Sequence, residues 1–246
     1  MNFYALIIGS EILNGRRADK HFEFLKSELD KYGHVLTASF IIKDDRELMI
    51  KAYNLIRNDE NAILFSFGGI GSTPDDLTRA IAAETFTSKE LVRHEQFEKD
   101  IIERFGDKAY PHRIHMSDLP DGANLLFNPV NNMSGFSLED RYFFVPGFPE
   151  MAHPMISSVI EKHFGKSSEK YRLTLIAQTS ENTLITVMKQ IPADIELSSL
   201  PMLANSKNNN FTVEISLCGA EKMHVEKHFK LFTDYLTELK IPFNLI

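Results

Sequence analysis

The amino-acid sequence predicts an α/β protein with a doubly wound, mostly parallel sheet, followed by a small α+β domain of ferredoxin-like topology. Short, continuous apolar runs alternate with helical patterns up to about residue 164, as expected of strands buried on both faces of a parallel sheet. The last part of the chain has the order βαββαβ, which is the ferredoxin-like order. We therefore expect two domains, at residues 1–166 and 171–246.

The first domain is expected to begin with three strand and helix units. Phe3–Ile8 is a continuous apolar run, typical of a buried parallel strand. Over Asp19–Tyr32, apolar residues recur at three- and four-residue steps, which predicts a helix that Gly33 ends. The next predicted elements are a strand at Val35–Ile42, a helix opened by a capping box of Asp44 and Glu47, a strand at Ala62–Phe67, and a helix beginning near Pro74.

Weaker patterns cover the rest of the chain. The first domain is predicted to continue with a helix at Lys89–Phe105, a polar segment at Gly106–Pro120, strands at Asn124–Asn128 and Arg141–Val145, and a helix ending near Phe164. A linker at Gly165–Lys170 then leads to strands at Arg172–Ala177, Ile195–Leu200, Phe211–Cys218 and near Phe243, with helices at Glu181–Gln190 and Glu221–Leu239. Asn205–Asn210, a polar stretch, is predicted to be a hairpin loop.

Composition limits the class of partner. The net charge of −7 at pH 7 and the pI near 5.7 argue against a nucleic-acid partner, because such proteins usually carry a basic face. The single cysteine, Cys218, allows no internal disulfide and is expected to be a buried, inert thiol. The first residues lack the basic region of a signal peptide, and no apolar run approaches the roughly 18 to 20 residues of a membrane span. We expect a cytoplasmic protein without a membrane partner.

The stretch FSFGGIGSTPDDLT, Phe65–Thr78, predicts an anion site. Its three glycines, Gly68, Gly69 and Gly71, leave main-chain N–H groups unobstructed at the end of a strand, where open α/β sheets bind ligands. Thr73 as N-cap and Pro74 as the first helical residue are expected to direct a helix amino end at the same space. The Gly-Lys-Ser/Thr ending of a P-loop is absent.

Two roles are open for the paired aspartates in this stretch. Asp76 follows Thr73 by three residues, which is the spacing of a capping box. Alternatively, Asp75 or Asp76 holds Mg²⁺, which prefers one or two carboxylates together with substrate phosphate oxygens. The two roles compete for the same oxygens.

Other loops offer further candidates. Ser10 and Glu11, in the loop Gly9–Gly15, are expected to face the pocket, whereas Asp19 and Glu150 have the positions of charges in the first turn of a helix. The polar segment Gly106–Pro120 contains Arg113, a candidate phosphate contact. His112 and His115 are a weak zinc signal, because no other clustered ligand accompanies them.

Four segments together carry a resemblance to a known family. They are GSEILNG, FGGIGSTPDDLT, LPDGANLLFNPVNNMSGF and VPGFPEM, in that order. With them, the sequence resembles the MoaB/Mog-type molybdopterin-binding domain, and specifically the amino-terminal region of the competence/damage-inducible CinA proteins. The resemblance continues through the SSLP and FTVEISLCG segments of the trailing domain. The deamidase domain of full-length CinA proteins lies outside it, so nicotinamide mononucleotide deamidation is not expected.

The resemblance implies two chemistries, both at a phosphate group next to AMP. CinA-like domains hydrolyse ADP-ribose with a divalent metal, whereas Mog-type relatives adenylylate molybdopterin. By resemblance, Asp76 and Glu11 would be catalytic and the metal would be held by Asp76, Asp75 and Asp19. The phosphate would be bound by Gly68, Gly69, Gly71, Ser72 and Thr73, and other ligand contacts would come from Ser10, Asn128, Ser134, Gly135, Pro146 and Gly147.

Three departures from the family pattern bear on activity. Ser10 stands where the family commonly has aspartate, which removes a potential metal ligand. Ser72 replaces a usual proline, and NPVNNMSG replaces a pattern of small residues, NPVGTAPG. These departures suggest a changed ligand, or binding without turnover.

The leading prediction is Mg²⁺- or Mn²⁺-dependent hydrolysis of a nucleotide diphosphate such as ADP-ribose. One alternative is molybdopterin binding or adenylyl transfer in molybdenum cofactor biosynthesis. Another is a non-catalytic nucleotide-binding module. The expected partner is a small-molecule nucleotide or pterin phosphate, and the family leads us to expect a homo-oligomer.

Overall fold

The protein divides into two compact units, Met1–Ser167 and Ser168–Ile246. The computed structural model describes residues 1–87, 90–166, 170–202 and 212–246. The predicted hairpin loop Asn205–Asn210 lies outside the described residues, as do residue 211 and part of the predicted linker.

The first unit is built around a six-stranded sheet with the order β2-β1-β3-β8-β7-β6. Its strands are β1 (Asn2–Ile8), β2 (Leu36–Ile42), β3 (Ala62–Phe67), β6 (Asn124–Leu126), β7 (Gly135–Leu138) and β8 (Tyr142–Val145). The neighbours β2, β1, β3 and β8 are parallel, and β7 and β6 pair antiparallel at one edge. All residues of β3 and β8 are buried, which explains why these strands read as continuous apolar runs.

Helices cover both faces of this sheet. On one face, α2 (His21–Lys31) and α6 (Pro149–His163) pack on a core that contains Phe65. On the other face, α3 (Arg46–Arg57), α4 (Thr78–Ala82) and α5 (Glu95–Phe105) pack on a core that contains Tyr53. A short helix, α1 (Ser10–Leu13), follows β1. The predicted doubly wound, mostly parallel α/β sheet is confirmed.

The glycine-rich stretch differs from its prediction. The helix begins at Thr78 and not at Pro74, because the N–H of Thr78 donates to the Gly69 carbonyl (3.0 Å) and closes the loop on itself. Pro74 lies within a turn in which the N–H of Asp76 donates to the Thr73 carbonyl (3.0 Å). No helix therefore starts at Thr73, and the expected helix amino end is replaced by a compact loop.

The predicted helix at Lys89–Phe105 is wrong in its first part. A short strand, β4 (Leu91–Arg93), pairs antiparallel with β5 (Asp118–Pro120), and the helix begins only at Glu95. His94 is the N-cap, and its Nδ1 accepts the Phe97 N–H (3.3 Å). Leu91 and Val92 pair with Pro120 and Leu119 of β5, a partner that sequence periodicity could not reveal. The polar segment also holds two 3₁₀ turns, at Gly106–Ala109 and Arg113–Ser117.

The second unit has the predicted βαββαβ order. Its elements are β9 (Tyr171–Ala177), α7 (Glu181–Met188), β10 (Glu196–Met202), β11 (Thr212–Gly219), α8 (Lys222–Glu238) and β12 (Phe243–Leu245). The strands form an antiparallel sheet with the order β10-β11-β9-β12, and one core joins it to both helices. Cys218 is buried in β11. Among the described residues, no helix is both long enough and apolar enough to span a bilayer.

Candidate functional site

A cavity of about 530 Å³ lies where the carboxyl ends of the central parallel strands meet their loops. Loops from distant parts of the sequence line it, among them the loop after β1, the glycine-rich loop after β3, and the loop after β8. This is the edge of an open α/β sheet at which ligands bind. The cavity therefore brings together residues of three segments noted in the sequence: GSEILNG, FGGIGSTPDDLT and VPGFPEM.

The glycine-rich loop has a backbone that only glycine fits. Gly68 and Gly69 have φ values of +99° and +69°, in the left-handed region. A Cβ on Gly68 would lie 2.5 Å from the Ile8 carbonyl oxygen, and one on Gly69 would collide with the Thr78 hydroxyl. Two bonds hold the loop from below: the Gly68 N–H donates to the Val145 carbonyl (2.9 Å), and the Thr78 hydroxyl donates to the Gly68 carbonyl (2.9 Å).

Asp76 closes the far end of the same loop. Its Oδ2 accepts both the N–H (2.8 Å) and the hydroxyl (2.6 Å) of Thr73, and a Cβ on Gly71 would lie 2.6 Å from this oxygen. Asp76 therefore folds back onto Thr73 as a capping-box carboxylate would, although no helix starts there. Its Oδ1 accepts no hydrogen bond from the described residues. One oxygen of Asp76 is structural, and the other is free for a ligand.

Asp75 also lines the cavity. The neighbouring Thr73 side chain, and then the main-chain N–H of Asp75 itself, hold the pKa of this carboxyl below its ordinary value. Asp75 is therefore ionised at neutral pH and adds negative charge beside Asp76.

Asp44 is a site residue that the sequence analysis assigned to a helix cap. The cap of α3 is Asp45, whose side chain accepts the Leu48 N–H (2.9 Å). Asp44 instead lines the cavity, and its Oδ2 accepts both the N–H (2.9 Å) and the hydroxyl (3.0 Å) of Ser10. Glu11, the next residue of that loop, lines the cavity as predicted. Ser10 replaces the aspartate that is common in the family, but its N–H and hydroxyl hold the carboxylate of Asp44 at the same place.

Part of the cavity wall is apolar and was not predicted. It is formed by Phe97, Phe105, Met116, Met133, Phe148 and Met151. Arg113 lies over the Phe105 ring, 5.0 Å from its centroid, and donates to the Lys108 carbonyl (2.8 Å), while Arg17 lies 5.5 Å from the Phe148 ring. Such a wall suits a flat heterocycle, whose faces are apolar and whose edge is polar. No sequence signal could have shown it, because the residues come from four separate segments.

Several predicted site residues have other roles in the structure. Asp19 accepts the N–H groups of His21 (2.8 Å) and Phe22 (3.1 Å), and it lines a smaller neighbouring hollow and not the main cavity. Asn128 is buried and bonds main-chain atoms of its own turn, donating to the Met133 carbonyl (3.0 Å). Gly135 lets β7 approach β8, because a Cβ there would collide with the Phe144 carbonyl oxygen. Ser72, Ser134, Pro146 and Gly147 do line the cavity.

The histidine pair also differs from a metal site. His115 bonds Asp118 through Nδ1 (2.8 Å), and His112 precedes a 3₁₀ turn. Within the described residues, no group of three or more His, Cys, Asp or Glu side chains is arranged to hold a metal ion by itself.

His21 lines the smaller hollow and bonds the loop that follows β8. It is buried, its ring stacks on Phe67 with centroids 4.4 Å apart, and its Nε2–H donates to the Gly147 carbonyl (3.3 Å). Burial lowers the pKa of His21, although the bond to Gly147 and the charges of Asp19 and Glu150 act to raise it. The imidazole is thus neutral near pH 7, and it fixes a residue that both hollows share. Glu150 lines only the smaller hollow.

Comparisons with known proteins agree with this fold. The family model described as a probable molybdopterin binding domain matches residues 4–166. The crystal structure of the CinA protein from Thermoplasma acidophilum, described as of unknown function, superposes with a TM-score of 0.59 and 25% sequence identity. That match covers 65% of this chain and 96% of the other.

Two relatives are named CinA-like proteins. The one from Acaryochloris marina is 30% identical over 157 residues, which cover 61% of this chain and 37% of that protein. The one from Geotalea daltonii is 24% identical over 241 residues, which cover 93% of this chain and 57% of that protein. The chain thus spans only part of the length of these curated relatives. Because the family match extends over residues 4–166 of 246, the chain belongs to the molybdopterin-binding-domain family, and it resembles the CinA-like members of that family.

Proposed function

We propose that this protein is a divalent-metal-dependent hydrolase of a nucleotide diphosphate of the ADP-ribose type. The observation that carries the proposal is the meeting of a bare glycine loop and four carboxylates in one cavity. The four are Glu11, Asp44, Asp75 and Asp76. Main-chain N–H groups suit phosphate oxygens, and carboxylates suit the cation that accompanies a diphosphate.

The residues of the cavity fit Mg²⁺ or Mn²⁺. Mg²⁺ usually keeps several waters and takes one or two carboxylates together with substrate phosphate oxygens, so it needs no complete protein cage. The free Oδ1 of Asp76 and the ionised Asp75 supply such oxygens beside the glycine loop. When bound, a divalent ion would neutralise charge on the diphosphate and lower the pKa of a water. Both carboxylate oxygens of Asp19 already accept N–H groups at the start of α2, so Asp19 is not a ligand in this arrangement.

The chain's own residues would then divide the work. The N–H groups of Gly68 and Thr73 already donate to the Val145 carbonyl and to Asp76, so the other N–H groups of the glycine-rich loop would hold the diphosphate and stabilise developing charge without moving. Glu11 orients the attacking water, and Asp76 keeps its Oδ1 toward the ligand because Thr73 holds its Oδ2. The water oxygen forms a new bond to one phosphorus, and the anhydride P–O bond breaks. The products are AMP and ribose 5-phosphate. The apolar wall receives the adenine ring.

The test is formation of AMP from ADP-ribose. We expect the purified protein with Mg²⁺ or Mn²⁺ to release AMP and ribose 5-phosphate in equal amounts, and an excess of chelator to stop the reaction. Chromatography measures both products. A folded protein that raises its melting temperature with ADP-ribose but forms no AMP would instead be a non-catalytic nucleotide-binding module.

A second candidate, molybdopterin binding or adenylyl transfer, is favoured by the family match and by the methionine- and phenylalanine-rich wall. A pterin is also a flat heterocycle with a phosphate, so it meets the same two features. The same melting experiment, run with molybdopterin, separates the candidates: stabilisation by molybdopterin and not by ADP-ribose would replace the leading proposal.

The adjacent aspartates Asp44 and Asp45 provide a further test of the site. Asp44→Ala removes the acceptor for both Ser10 groups, and we expect it to weaken ADP-ribose binding by about tenfold, as loss of a hydrogen bond to a charged group does. Asp45→Ala removes only the cap of α3 and is expected to cost about 1 kcal/mol of stability with unchanged affinity. Calorimetry and urea unfolding measure the two effects. If both variants bind ADP-ribose with the same affinity, Asp44 does not contribute to the binding site.

A further inference from the structure

Arg79 is a buried arginine directly behind the glycine-rich loop. It lies in α4 and is 8% exposed. Its Nη2 donates to the Gly71 carbonyl (2.6 Å), and its Nη1 donates to the carbonyls of Asp118 (3.2 Å) and His115. Neither the sequence pattern nor the family resemblance singled out this residue.

These bonds connect two walls of the cavity. Gly71 belongs to the glycine-rich loop, whereas His115 belongs to the 3₁₀ turn Arg113–Ser117, whose Arg113 and Met116 also line the cavity. The planar guanidinium presents its donors in a rigid fork, so one side chain sets the separation of both segments. A lysine could not hold the same carbonyls with fixed geometry.

The charge of Arg79 is also unusual. In the described part of the chain, no carboxylate lies within ion-pair distance of its guanidinium, and its Nε has no hydrogen-bond partner. Burial lowers the pKa of Arg79, and the charges of Asp76 and Asp118 counteract this, but an arginine stays protonated in any case. A buried charge that makes no ion pair attracts anions more strongly than an exposed one, because less water lies between it and the anion.

We propose that Arg79 is the positioning residue of the anion site: its fork sets the gap between the glycine-rich loop and the 3₁₀ turn, and its charge draws phosphate oxygens to the loop. The proposal rests on the proposed function in one respect, that the cavity binds a phosphorylated ligand. It does not require turnover. In this proposal Arg79 does not contact the ligand. It acts by holding the Gly71 carbonyl and through the electrostatic field of its charge.

The test measures binding of inorganic pyrophosphate by calorimetry at several salt concentrations. The variants are Arg79→Met, Arg79→Lys and a matched control, Arg141→Met. Arg141 also binds main-chain carbonyls, those of Ala62 (3.1 Å) and Asp59 (3.2 Å), but at the opposite end of β3. Melting curves confirm that each variant is folded.

We expect Arg79→Met to raise the Kd for pyrophosphate by about tenfold and to make it less dependent on salt, because a charge has been removed. Arg79→Lys should weaken binding several-fold and keep the salt dependence of the original protein. Arg141→Met should change neither. A purely structural arginine would alter the melting temperature in both Met variants and leave the salt dependence alone.

Three results would overturn the proposal: a folded Arg79→Met that binds pyrophosphate as Arg141→Met does, an original protein that binds no pyrophosphate, or an Arg79→Lys with unchanged affinity. If Arg79→Met does not fold, the affinity of Arg79→Lys for pyrophosphate tests the proposal instead. Binding of pyrophosphate without hydrolysis of ADP-ribose would remove the proposed hydrolase function and leave the role of Arg79 intact.

Discussion

Asp76→Asn is expected to lower ADP-ribose hydrolysis by about 10²- to 10⁴-fold, the range for removal of a group that acts directly in catalysis. The substitution keeps the size of the side chain, and its amide oxygen can still accept from Thr73. It removes the negative charge that the free Oδ1 offers to a cation. Steady-state rates of AMP formation over a range of Mn²⁺ concentrations measure the loss.

Two variants serve as controls for Asp76. Asp75→Asn changes a neighbouring carboxylate in the same cavity, and we expect a smaller loss that higher metal concentrations restore. Thr73→Val removes only the hydroxyl that holds Oδ2 and should retain most of the rate, because the Thr73 N–H bond persists. A folded Asp76→Asn protein with the rate of the original would exclude Asp76 as the catalytic carboxylate.

Gly68→Ala is expected to be the most disruptive small substitution in the site, with a loss of about 3 kcal/mol of stability and of ligand binding. The backbone at φ +99° strains any residue with a Cβ, and the added carbon would lie 2.5 Å from the Ile8 carbonyl oxygen. Strain of this kind costs about 1–3 kcal/mol, and overpacking costs about as much again. Urea unfolding and calorimetry with ADP-ribose provide the two measurements.

Gly122→Ala separates the two causes. Gly122 has a similar φ of +80°, but no atom lies within 4 Å of the position of its Cβ. This variant should therefore lose only about 1 kcal/mol, the cost of the backbone strain, and should bind ligand normally. If both alanine variants lose the same stability, the close approach of Gly68 to β1 has no energetic consequence.

The alternation of apolar runs and helical patterns predicted most of the architecture. The predicted strand at Ala62–Phe67 is confirmed at both ends, and the βαββαβ order of the second unit follows the prediction. These elements could be predicted because burial on both faces leaves a continuous apolar run, which is visible in one segment of sequence. The strand Leu91–Arg93 was missed because its partner lies 25 or more residues away along the chain.

The glycine-rich stretch shows where local reasoning ends. The capping-box spacing of Thr73 and Asp76 correctly predicted that these side chains meet. It did not predict a turn closed on Gly69, because that contact competes with helix formation for the N–H of Thr78. Similarly, the spacing of Asp44 and Glu47 predicted Asp44 as the cap of α3, and this was wrong: the cap is Asp45, whereas Asp44 bonds Ser10.

The sequence by itself determined the fold class, the family resemblance, and the loops that contain the glycines and the carboxylates, because each of these is a pattern within one stretch of chain. The tertiary structure alone decided which carboxylates share a cavity, that Asp19 and Asn128 serve the fold, and that Arg79 lies behind the loop. The physical reason is the strand order β2-β1-β3-β8, which places loops from distant segments side by side at one edge of the sheet. Distances across that edge depend on register and packing, and no single segment of sequence contains them.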